Sequence, residues 1–424
     1  MQKIVEKVQK GLRGCVEIPS DKSISHRAVM LSSLAKGKSL IKNFSQGKDP
    51  VSTLKLFKNL GVQSRYIDDK TLEIISEGKL IAPNIPLDCG NSGTTMRLTS
   101  GILAGQNFNS VLIGDESLSR RPMKRIIEPL KLMGADIKSK DFHAPLEIKG
   151  GNLNGIDYVS KLSSAQVKSC VLLAGLFAQG VTKFTEPHIS RNHTEIMLKY
   201  MGADIIREGN SVSIKKSTLE PREINICGDI SSAAYFIVAG LIVKNSEIIL
   251  KNVGLNPTRT GILDVVEAMD GNIEILDKKN ISGEDVGDIK VSYSKLKACK
   301  IEGELIPRLI DELPVIAVLA TQAEGVTEIR DAGDLRNKES DRITTIVNEL
   351  KKIGADIEEL PDGFKITGGK PLKGDCEVET YQDHRLAMSF YTAGLICEKP
   401  LCINNFEWVN ISFPEFENFF VSLI

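Results

Sequence analysis

Residues 229–242 read DISSAAYFIVAGLI, a polar opening followed by an uninterrupted apolar run. The apolar run covers residues 233–243, which is too short for a membrane span of about 20 residues. A helix that is apolar on all sides is stable in water only when it is buried on all sides. The stretch therefore predicts a helix at the centre of a domain.

The same pattern occurs six times along the chain. Each copy has a small polar opening, an apolar run of helix length, usually an Ala or Gly stop, and then a β-branched stretch. The copies open near residues 23, 91, 163, 229, 311 and 383, at spacings of 68, 72, 66, 82 and 72 residues. A unit of this size cannot close a core around its own buried helix. We therefore expect three units to form one domain and six to form two.

A second, amphipathic helix is predicted between successive copies. PMKRIIEPLKLMGAD (122–136) and DRITTIVNELKKIGAD (341–356) both have apolar residues at helical spacing. FPEFENFFVSLI (413–424) keeps the same period as a degenerate last copy. Glycines that follow the last apolar position are expected to end these helices in the left-handed conformation. They are Gly61, Gly134, Gly202, Gly271 and Gly354.

The composition argues against several classes of protein. The 424 residues include 54 Lys+Arg and 55 Asp+Glu, so the net charge of −1 gives no general attraction to nucleic acid or membrane. The eight cysteines and five histidines have no metal-ligand or disulfide spacing. The opening MQKIVEKVQKGLRG lacks the apolar core of a secretory signal. We therefore expect a cytoplasmic protein without a metal.

The starts of the buried helices are the predicted functional positions. A helix start presents unpaired backbone N–H groups and the positive end of the helix dipole, so it can bind an anion. A single cation there is most often a solvated surface charge, but its recurrence from unit to unit favours a ligand with several negative charges. The cations in this zone are Lys22, Arg27, Arg97, Arg121, Lys168, Arg191, Lys338, Arg342 and Arg385.

Acidic residues and a histidine lie at the starts of the last two buried helices and of the amphipathic helix between them. Asp311 and Asp341 are equally well explained as helix caps, whereas Glu339 is a poorer cap because Ser340 and Asp341 are better placed. His384 fits either a buried, hydrogen-bonded histidine or a catalytic one. Carboxylates among so many cations should stay ionised, and they are therefore candidate proton acceptors.

Nine motifs give the chain a resemblance to a known family. They are SDKSISHRA, DCGNSGTTMRL, GDESLSRRPM, SSAQVKS, SRNHTE, NPTRTG, LIPRLIDELP, KESDRI and YQDHRLAM, and they span residues 20–388 in order. The chain resembles the 5-enolpyruvylshikimate-3-phosphate synthase family, in its bacterial subgroup with SAQxK, RxHTE and NxTR motifs.

The resemblance implies an α/β (α+β) fold. Its architecture would be a two-domain inside-out α/β barrel built from six βαβαββ-like repeats, three in each domain. Residues 14–225 would form the first domain, and residues 1–13 with 226–424 would form the second. A polar, Pro-containing stretch at residues 218–225 supports a break there.

The resemblance also implies the reaction. The enolpyruvyl group of phosphoenolpyruvate would be transferred to the 5-hydroxyl of shikimate 3-phosphate, with release of phosphate, by addition–elimination. The enzyme would belong to the shikimate pathway of aromatic amino acid biosynthesis and would be a glyphosate target. It would need no cofactor and would act as a monomer. Because the cations lie in both halves of the chain, the site should need residues of both domains.

Site residues follow from the resemblance, motif by motif. Those for shikimate 3-phosphate are Lys22, Ser23, Arg27, Ser164, Ala165, Gln166 and Arg191. Those for phosphoenolpyruvate are Lys22, Gly93, Arg121, Arg342 and Arg385. Lys338, Glu339 and His384 would complete the site. Asp311 would take the proton of the 5-hydroxyl, while Glu339 and Lys22 would share proton delivery to the methylene carbon.

One residue departs from the family pattern, and three alternatives stay open. Ile411 stands where many members have a lysine three residues before the last proline. One alternative is the related transferase acting on UDP-N-acetylglucosamine, but it typically uses a loop cysteine that residues 119–122 lack. The others are an RNA-end-processing enzyme on similar repeats and a non-enzymatic six-repeat interaction protein.

Overall fold

The computed structural model describes all of residues 1–424, which divide into two compact units. The first unit comprises Ser20–Ile226 and Ile281–Glu284. The second unit comprises Met1–Pro19, Cys227–Asn280 and Asp285–Ile424. Each unit contains three buried helices, three outer helices and three small sheets.

The first unit begins at Ser20 rather than at the expected residue 14. The intervening strand Arg13–Glu17 pairs in parallel with Glu247–Gly254, and both strands belong to the second unit. The segment Ile281–Glu284 is the other departure from the expected bounds, because it is grouped with the first unit. Its Glu284 carboxylate lies 2.7 Å from Nδ1 of His193.

The three sheets of the first unit share one design. In each, the first strand pairs in parallel with the second, and an antiparallel hairpin completes the sheet. In sheet order they are Glu223–Asn225, Lys36–Lys42, Leu72–Glu77, Gln63–Tyr66; Leu87–Asp88, Asn109–Ile113, His143–Lys149, Asp136–Lys140; and Asp157–Val159, Val181–Thr185, Ser211–Lys215, Ile205–Glu208. The predicted six-repeat α/β fold accounts for this recurrence.

The second unit repeats the design with one shortened copy. Its sheets, in order, are Asn272–Ile281, Glu284–Ser292, Glu247–Gly254, Arg13–Glu17; Lys300–Ile301, Val326–Ile329, Gly363–Thr367, Asp356–Leu360; and Lys3–Val5, Leu401–Asn404, Glu377–Glu379. In the last sheet the single strand Lys3–Val5 replaces the hairpin. The six sheets are separate, so the predicted mixed α/β fold is made of small sheets.

The six predicted buried helices are present. They are Lys22–Leu34, Gly93–Ala104, Ala165–Gly175, Ile230–Ile242, Leu313–Thr321 and His384–Gly394. Every residue of Leu313–Thr321 and of His384–Gly394 is buried, as a helix without a polar face requires. None of the helices combines the length and apolar composition that crossing a bilayer would require.

Outer helices and short helical turns complete the units. The outer helices are Lys48–Asn59, Lys124–Leu132, His193–Tyr200, Gly261–Ala268, Arg342–Ile353 and Phe416–Val421. Shorter helices are Glu116–Ser119 and Ile306–Leu309, and 3₁₀ turns are Gly303–Leu305, Gly333–Asn337 and Phe406–Ile411. The degenerate last copy is confirmed as a helix, and its Phe420 ring stacks on Phe236 with centroids 4.4 Å apart.

The predicted glycine stops are correct at four of five positions. Gly61, Gly134, Gly202 and Gly354 have φ of +88°, +97°, +90° and +102°. The prediction is wrong for Gly271, because Asp270 takes the left-handed conformation with φ +59°. A Cβ at Gly271 would lie 2.5 Å from Cγ1 of Val266, so the glycine is needed there for close approach.

Candidate active site

The start of the helix Lys22–Leu34 holds two predicted cations. Asp21 caps the helix by accepting a hydrogen bond from Ile24 N–H at 2.8 Å, which leaves Lys22 and Ser23 in the first turn. The Lys22 ammonium lies 3.2 Å from the Asp49 carboxylate. Arg27 lies one turn further along the helix and is almost fully buried.

Three hydrogen bonds fix the Arg27 guanidinium. Nε donates to Thr194 Oγ1 at 2.7 Å, Nη2 to Ser169 Oγ at 2.9 Å and Nη1 to the Ser23 carbonyl at 2.9 Å. Thr194 belongs to the RNHTE motif, of which sequence analysis used only Arg191. The hydroxyl of Thr194 therefore orients a predicted site residue, and no spacing in the sequence indicated this role.

Two arginines flank Gly93 at the start of the helix Gly93–Ala104. A Cβ added at Gly93 would lie 3.0 Å from Nη1 of Arg97 and 3.7 Å from Nη1 of Arg121. Arg121 is held by Asn91, whose Oδ1 accepts from Nη2 at 2.8 Å. The side chain of Ser92 caps the helix by accepting from Thr95 N–H. The structure thus brings a helix start and two guanidinium groups together, which is a suitable anion site.

The start of the helix Ala165–Gly175 joins this region. The Gln166 amide accepts a hydrogen bond from Arg97 Nη1 at 2.6 Å and donates to Thr94 Oγ1 at 3.1 Å. Ser164 and Ala165 are half-buried at the same helix start. Since this helix packs against Gly93–Ala104 and Gln166 contacts both Arg97 and Thr94, the two predicted helix starts are neighbours in the first unit.

Lys168 differs from the other predicted cations. It is fully buried, and its ammonium contacts the carboxylates of Glu186 at 2.7 Å and Glu195 at 3.0 Å. A lysine whose charge is already neutralised by two buried carboxylates has little attraction left for a substrate anion. Its place among the ligand-neutralising cations is therefore not supported by the structure.

His26 is a buried histidine near the predicted site. Its Nδ1 lies 2.6 Å from Thr53 Oγ1, which in turn lies 2.7 Å from Thr95 Oγ1. Burial lowers the pKa of His26 well below its ordinary value of 6.5, and the charges of Lys22 and Arg27 lower it further. The imidazole is therefore neutral at pH 7 and links the helix Lys22–Leu34 to the cap of Gly93–Ala104.

The His26→Asn variant should weaken the pH dependence of stability. Below pH 6.5 the unfolded chain takes up a proton that folded His26 resists, so the free energy of unfolding falls as the pH falls. This loss has a limit of about 1.4 kcal/mol per pH unit for one group. The free energy of unfolding, measured in urea at pH values from 6.5 to 5.5, should therefore fall less steeply with falling pH in the variant than in the parent. Identical slopes for variant and parent would contradict the assignment.

Asp311 lies among three cations of the second unit. Its carboxylate is 3.4 Å from Nη1 of Arg342, 3.5 Å from Nζ of Lys338 and 3.7 Å from Nη2 of Arg385. Asp311 precedes the helix Leu313–Thr321, whose first turn contains Pro314. The alternative of a helix cap is not supported, because the cap residue of that helix is Glu312 and makes no side-chain cap.

Arg342 is buried at the start of Arg342–Ile353 and is held by carboxylates. Nε donates to Asp383 Oδ2 at 2.7 Å, and Nη2 donates to Glu339 Oε2 at 2.6 Å. Burial alone would lower the pKa of Arg342, but attraction to Asp383 and Glu339 raises it above the ordinary value. Asp341 does cap this helix, by accepting from Ile343 and Thr344 N–H.

The start of His384–Gly394 completes the second cluster. Arg385 Nη1 donates to the Asp311 carbonyl at 3.2 Å. Burial would lower the pKa of Arg385, but attraction to Asp311 first, and then to Tyr235, Glu312 and Asp229, raises it above the ordinary value. His384 is buried beside Arg385. The structure thus brings together five predicted residues, namely Asp311, Lys338, Glu339, Arg342 and Arg385.

Asp383 is a residue that sequence analysis missed. Its side chain has no exposed surface, caps the helix His384–Gly394 through Arg385 N–H at 2.9 Å, and binds Arg342. Asp383 belongs to the QDHR motif, but roles in the site were assigned only to His384 and Arg385. Ile411, at the end of Phe406–Ile411, is half-buried and offers no charge where many relatives of the predicted family have lysine.

Fold and clusters together define a class of protein. Six repeated units and arginine-rich helix starts with embedded carboxylates are typical of an enzyme that acts on small, multiply charged anions. A sequence profile of EPSP synthase (3-phosphoshikimate 1-carboxyvinyltransferase) matches residues 6–420. The chain belongs to the EPSP synthase family.

Individual relatives are similar over nearly the full length. The 3-phosphoshikimate 1-carboxyvinyltransferase of Petrotoga mobilis is 50% identical over 415 residues, covering 96% of this chain and 95% of the relative. That of Bacillus subtilis strain 168 is 49% identical over 419 residues, covering 97% of each chain. A solved EPSP synthase from Acinetobacter baumannii has a TM-score of 0.90 and 40% identity, covering 100% of this chain and 98% of that one. The family predicted from the nine motifs is confirmed.

Proposed function

We propose that the chain transfers the enolpyruvyl group of phosphoenolpyruvate to the 5-hydroxyl of shikimate 3-phosphate and releases phosphate. The observation that carries this proposal is the placing of arginines and lysines at helix starts, those of the buried helices Lys22–Leu34, Gly93–Ala104 and His384–Gly394 and of the outer helix Arg342–Ile353, in a chain that belongs to the EPSP synthase family. The reaction belongs to the shikimate pathway and leads to chorismate and the aromatic amino acids.

Shikimate 3-phosphate is assigned mainly to the first unit. Its proposed ligands are Lys22, Ser23, Arg27, Ser164, Ala165, Gln166 and Arg191. The fixed orientation of Arg27 supports this assignment, because a preset guanidinium loses less entropy when it binds a phosphate. Asp311 and Lys338 are proposed to act at the hydroxyl of this substrate that reacts.

Phosphoenolpyruvate is assigned to one lysine, one glycine and three arginines. Its proposed ligands are Lys22, Gly93, Arg121, Arg342 and Arg385. The two substrates together carry two phosphates at about −1.5 to −2 each and two carboxylates, roughly −5 to −6 in all. With Lys168 removed from the count, eight cations remain: Lys22, Arg27, Arg97, Arg121, Arg191, Lys338, Arg342 and Arg385. They outnumber the negative charges of the substrates by about two to three, and the carboxylates of Asp311, Glu339 and Asp383 offset this excess.

The acid–base groups are assigned to the carboxylates and Lys22. In the addition step, Glu339 and Lys22 deliver a proton to the methylene carbon while Asp311 takes the proton of the 5-hydroxyl. The oxygen then bonds to the second carbon of phosphoenolpyruvate. In the elimination step the methyl carbon returns a proton and the phosphate leaves, which restores the carbon–carbon double bond. His384, buried next to Arg385, completes this group.

The remaining expectations are part of the same proposal. The chain would act in the cytoplasm as a monomer, without a cofactor or a metal, and without nucleic-acid or membrane partners. The near balance of 54 Lys+Arg against 55 Asp+Glu supports the last two points, because it leaves no broad charged surface for such partners.

Phosphate release with both substrates tests the activity. Phosphate should form only when shikimate 3-phosphate and phosphoenolpyruvate are both present, and omission of either should abolish it. Phosphate release with UDP-N-acetylglucosamine in place of shikimate 3-phosphate would favour the related transferase. Its usual loop cysteine is missing from residues 119–122, so we expect none. No turnover with any acceptor would favour the six-repeat interaction protein.

The Gly93→Ala variant should discriminate against longer analogues of phosphoenolpyruvate. The added methyl group would lie 3.0 Å from Nη1 of Arg97 and would occupy the space between the arginines that flank the helix start. We expect the KM for phosphoenolpyruvate to rise and the inhibition constant for glyphosate, which is slightly longer, to rise by a larger factor. Steady-state inhibition measures both. A variant inhibited as strongly as the parent would contradict the placement of phosphoenolpyruvate.

A further inference from the structure

Three buried charges and one partly exposed charge form a compact cluster in the first unit that the proposed mechanism does not use. Lys168 lies at its centre and contacts the carboxylates of Glu186 and Glu195. Arg207 is the fourth member and pairs with Glu195. Lys168, Glu186 and Glu195 are all buried. The two positive and two negative charges balance. Such a cluster contributes little net stability, because desolvation of the charges offsets their attraction, and its main effect is to fix geometry.

The geometry that the cluster fixes is that of Ser190. Lys168 Nζ donates to the Ser190 carbonyl at 2.9 Å. Glu186 accepts from the Ser190 backbone N–H at 3.0 Å and from its hydroxyl at 2.5 Å. All three polar groups of one buried residue are therefore bound to one ion pair. The chain at residue 190 has little freedom to move relative to Lys168.

The cluster links two parts of the proposed binding region. Lys168 lies on the helix Ala165–Gly175, at whose start Ser164 and Gln166 are found. Ser190 directly precedes Arg191, so its three hydrogen bonds also fix the backbone that carries the Arg191 side chain. The distance between the helix start and the arginine is thus set by buried, charge-assisted hydrogen bonds, which are about twice as strong as neutral ones.

We propose that Lys168, Glu186 and Ser190 are positioning residues that hold Arg191 in place for the phosphate of shikimate 3-phosphate. The proposal rests on the proposed function, because it takes Arg191 as a ligand of that phosphate. The three residues touch neither substrate and act through the backbone of Arg191. Their contribution appears as affinity for shikimate 3-phosphate, because a preset arginine does not have to be ordered when the substrate binds.

A double-mutant cycle with Ser190→Ala and Arg191→Ala tests the proposal. Ser190→Ala removes one hydroxyl and keeps the ion pair, so the variant should fold, whereas Lys168→Met would leave the buried Glu186 carboxylate without its ammonium partner. We expect Ser190→Ala to raise the Kd for shikimate 3-phosphate, measured by calorimetry, about 5- to 10-fold. The KM for phosphoenolpyruvate should change less than about twofold. In the Arg191→Ala background the same serine change should have no further effect on the Kd.

Ser33→Ala is the matched control. Ser33 is also buried and donates its hydroxyl to a carbonyl, that of Val29, at the far end of the helix Lys22–Leu34. The Ser33→Ala variant should leave the Kd for shikimate 3-phosphate unchanged. For both serine variants the Kd should be measured at a temperature that lies equally far below the Tm of the variant.

Each outcome of the cycle has a distinct meaning. An Arg191→Ala enzyme with the parent's Kd would overturn the assignment of Arg191 within the proposed function, and the positioning role with it. If Arg191→Ala weakens binding but Ser190→Ala does not, the positioning proposal alone fails. It also fails if the two effects are fully additive, or if Ser190→Ala raises the KM for phosphoenolpyruvate and the Kd for shikimate 3-phosphate equally.

Discussion

Asp311→Asn should lower kcat by about 10²- to 10⁴-fold, the usual contribution of a positioned proton-transfer group. The amide keeps the size of the side chain but cannot take the proton of the 5-hydroxyl. Asp311 lies within 4 Å of Arg342, Lys338 and Arg385, and these charges favour its ionised form, which is the form a base needs. The KM values should change much less than kcat, because the cations that would bind the substrates remain. Steady-state phosphate release measures both.

Asp334→Asn is the matched control for Asp311. Asp334 lies 3.8 Å from the same Lys338, but its side chain is 48% exposed. Loss of a solvated carboxylate near a lysine is worth at most about 1 kcal/mol, or about fivefold in rate. A large loss in both variants would point to the charge balance of Lys338 rather than to proton removal. Near-normal turnover of Asp311→Asn would remove Asp311 from the role of base.

The architecture could be predicted from the sequence because it depends on a repeated pattern. A helix without a polar face, such as Ile230–Ile242, must be buried, and six such helices at regular spacing require repeated units around them. The amphipathic period likewise predicted the helix Arg342–Ile353 and the glycine that ends it. These signals are local, and each one is repeated in several copies.

The prediction was less successful where a contact depends on residues distant in the sequence. The strand Arg13–Glu17 is grouped by its pairing with Glu247–Gly254, and no local feature of either strand specifies that partner. Similarly, Gly271 follows the last apolar residue as the rule requires, but the left-handed turn falls on Asp270. The rule locates the end of the helix to within one residue. The glycine at position 271 is required for a different reason, namely its close approach to Val266.

The charged residues at helix starts show the same difference between what local sequence predicts and what distant residues determine. The sequence places cations at these helix starts, but it does not show which of them the fold pairs with carboxylates. Arg342 and Arg385 lie against Asp311, whereas Lys168 is neutralised by Glu186 and Glu195, which are distant from it in the sequence. Asp383 was missed for the same reason, since its partner Arg342 lies on another helix. Pairing is a property of the fold, so the sequence alone does not show which cations are already neutralised.

The Arg342→Met variant should lose about 3–5 kcal/mol of the free energy of unfolding, as expected when one partner of a buried ion pair is removed. The Asp383 carboxylate has no exposed surface and would lose the guanidinium that now donates to it at 2.7 Å. Glu339 would lose its 2.6 Å partner at the same time. Denaturation in urea with linear extrapolation measures the change. The KM for phosphoenolpyruvate should rise as well, because Arg342 is one of its proposed ligands.

Two further variants separate charge from geometry at this position. Arg342→Lys keeps the charge, but a single ammonium group cannot reproduce the fork that contacts Asp383 and Glu339 together, so its loss of stability should be intermediate. Arg330→Met removes a half-exposed arginine paired with Glu328 and should cost less than about 1 kcal/mol. An Arg342→Met variant as stable as the parent would contradict a stabilising role for the ion pairs of Arg342 with Asp383 and Glu339. In that case the buried charges of the second cluster would not constrain one another, and the arginine would be needed for substrate alone.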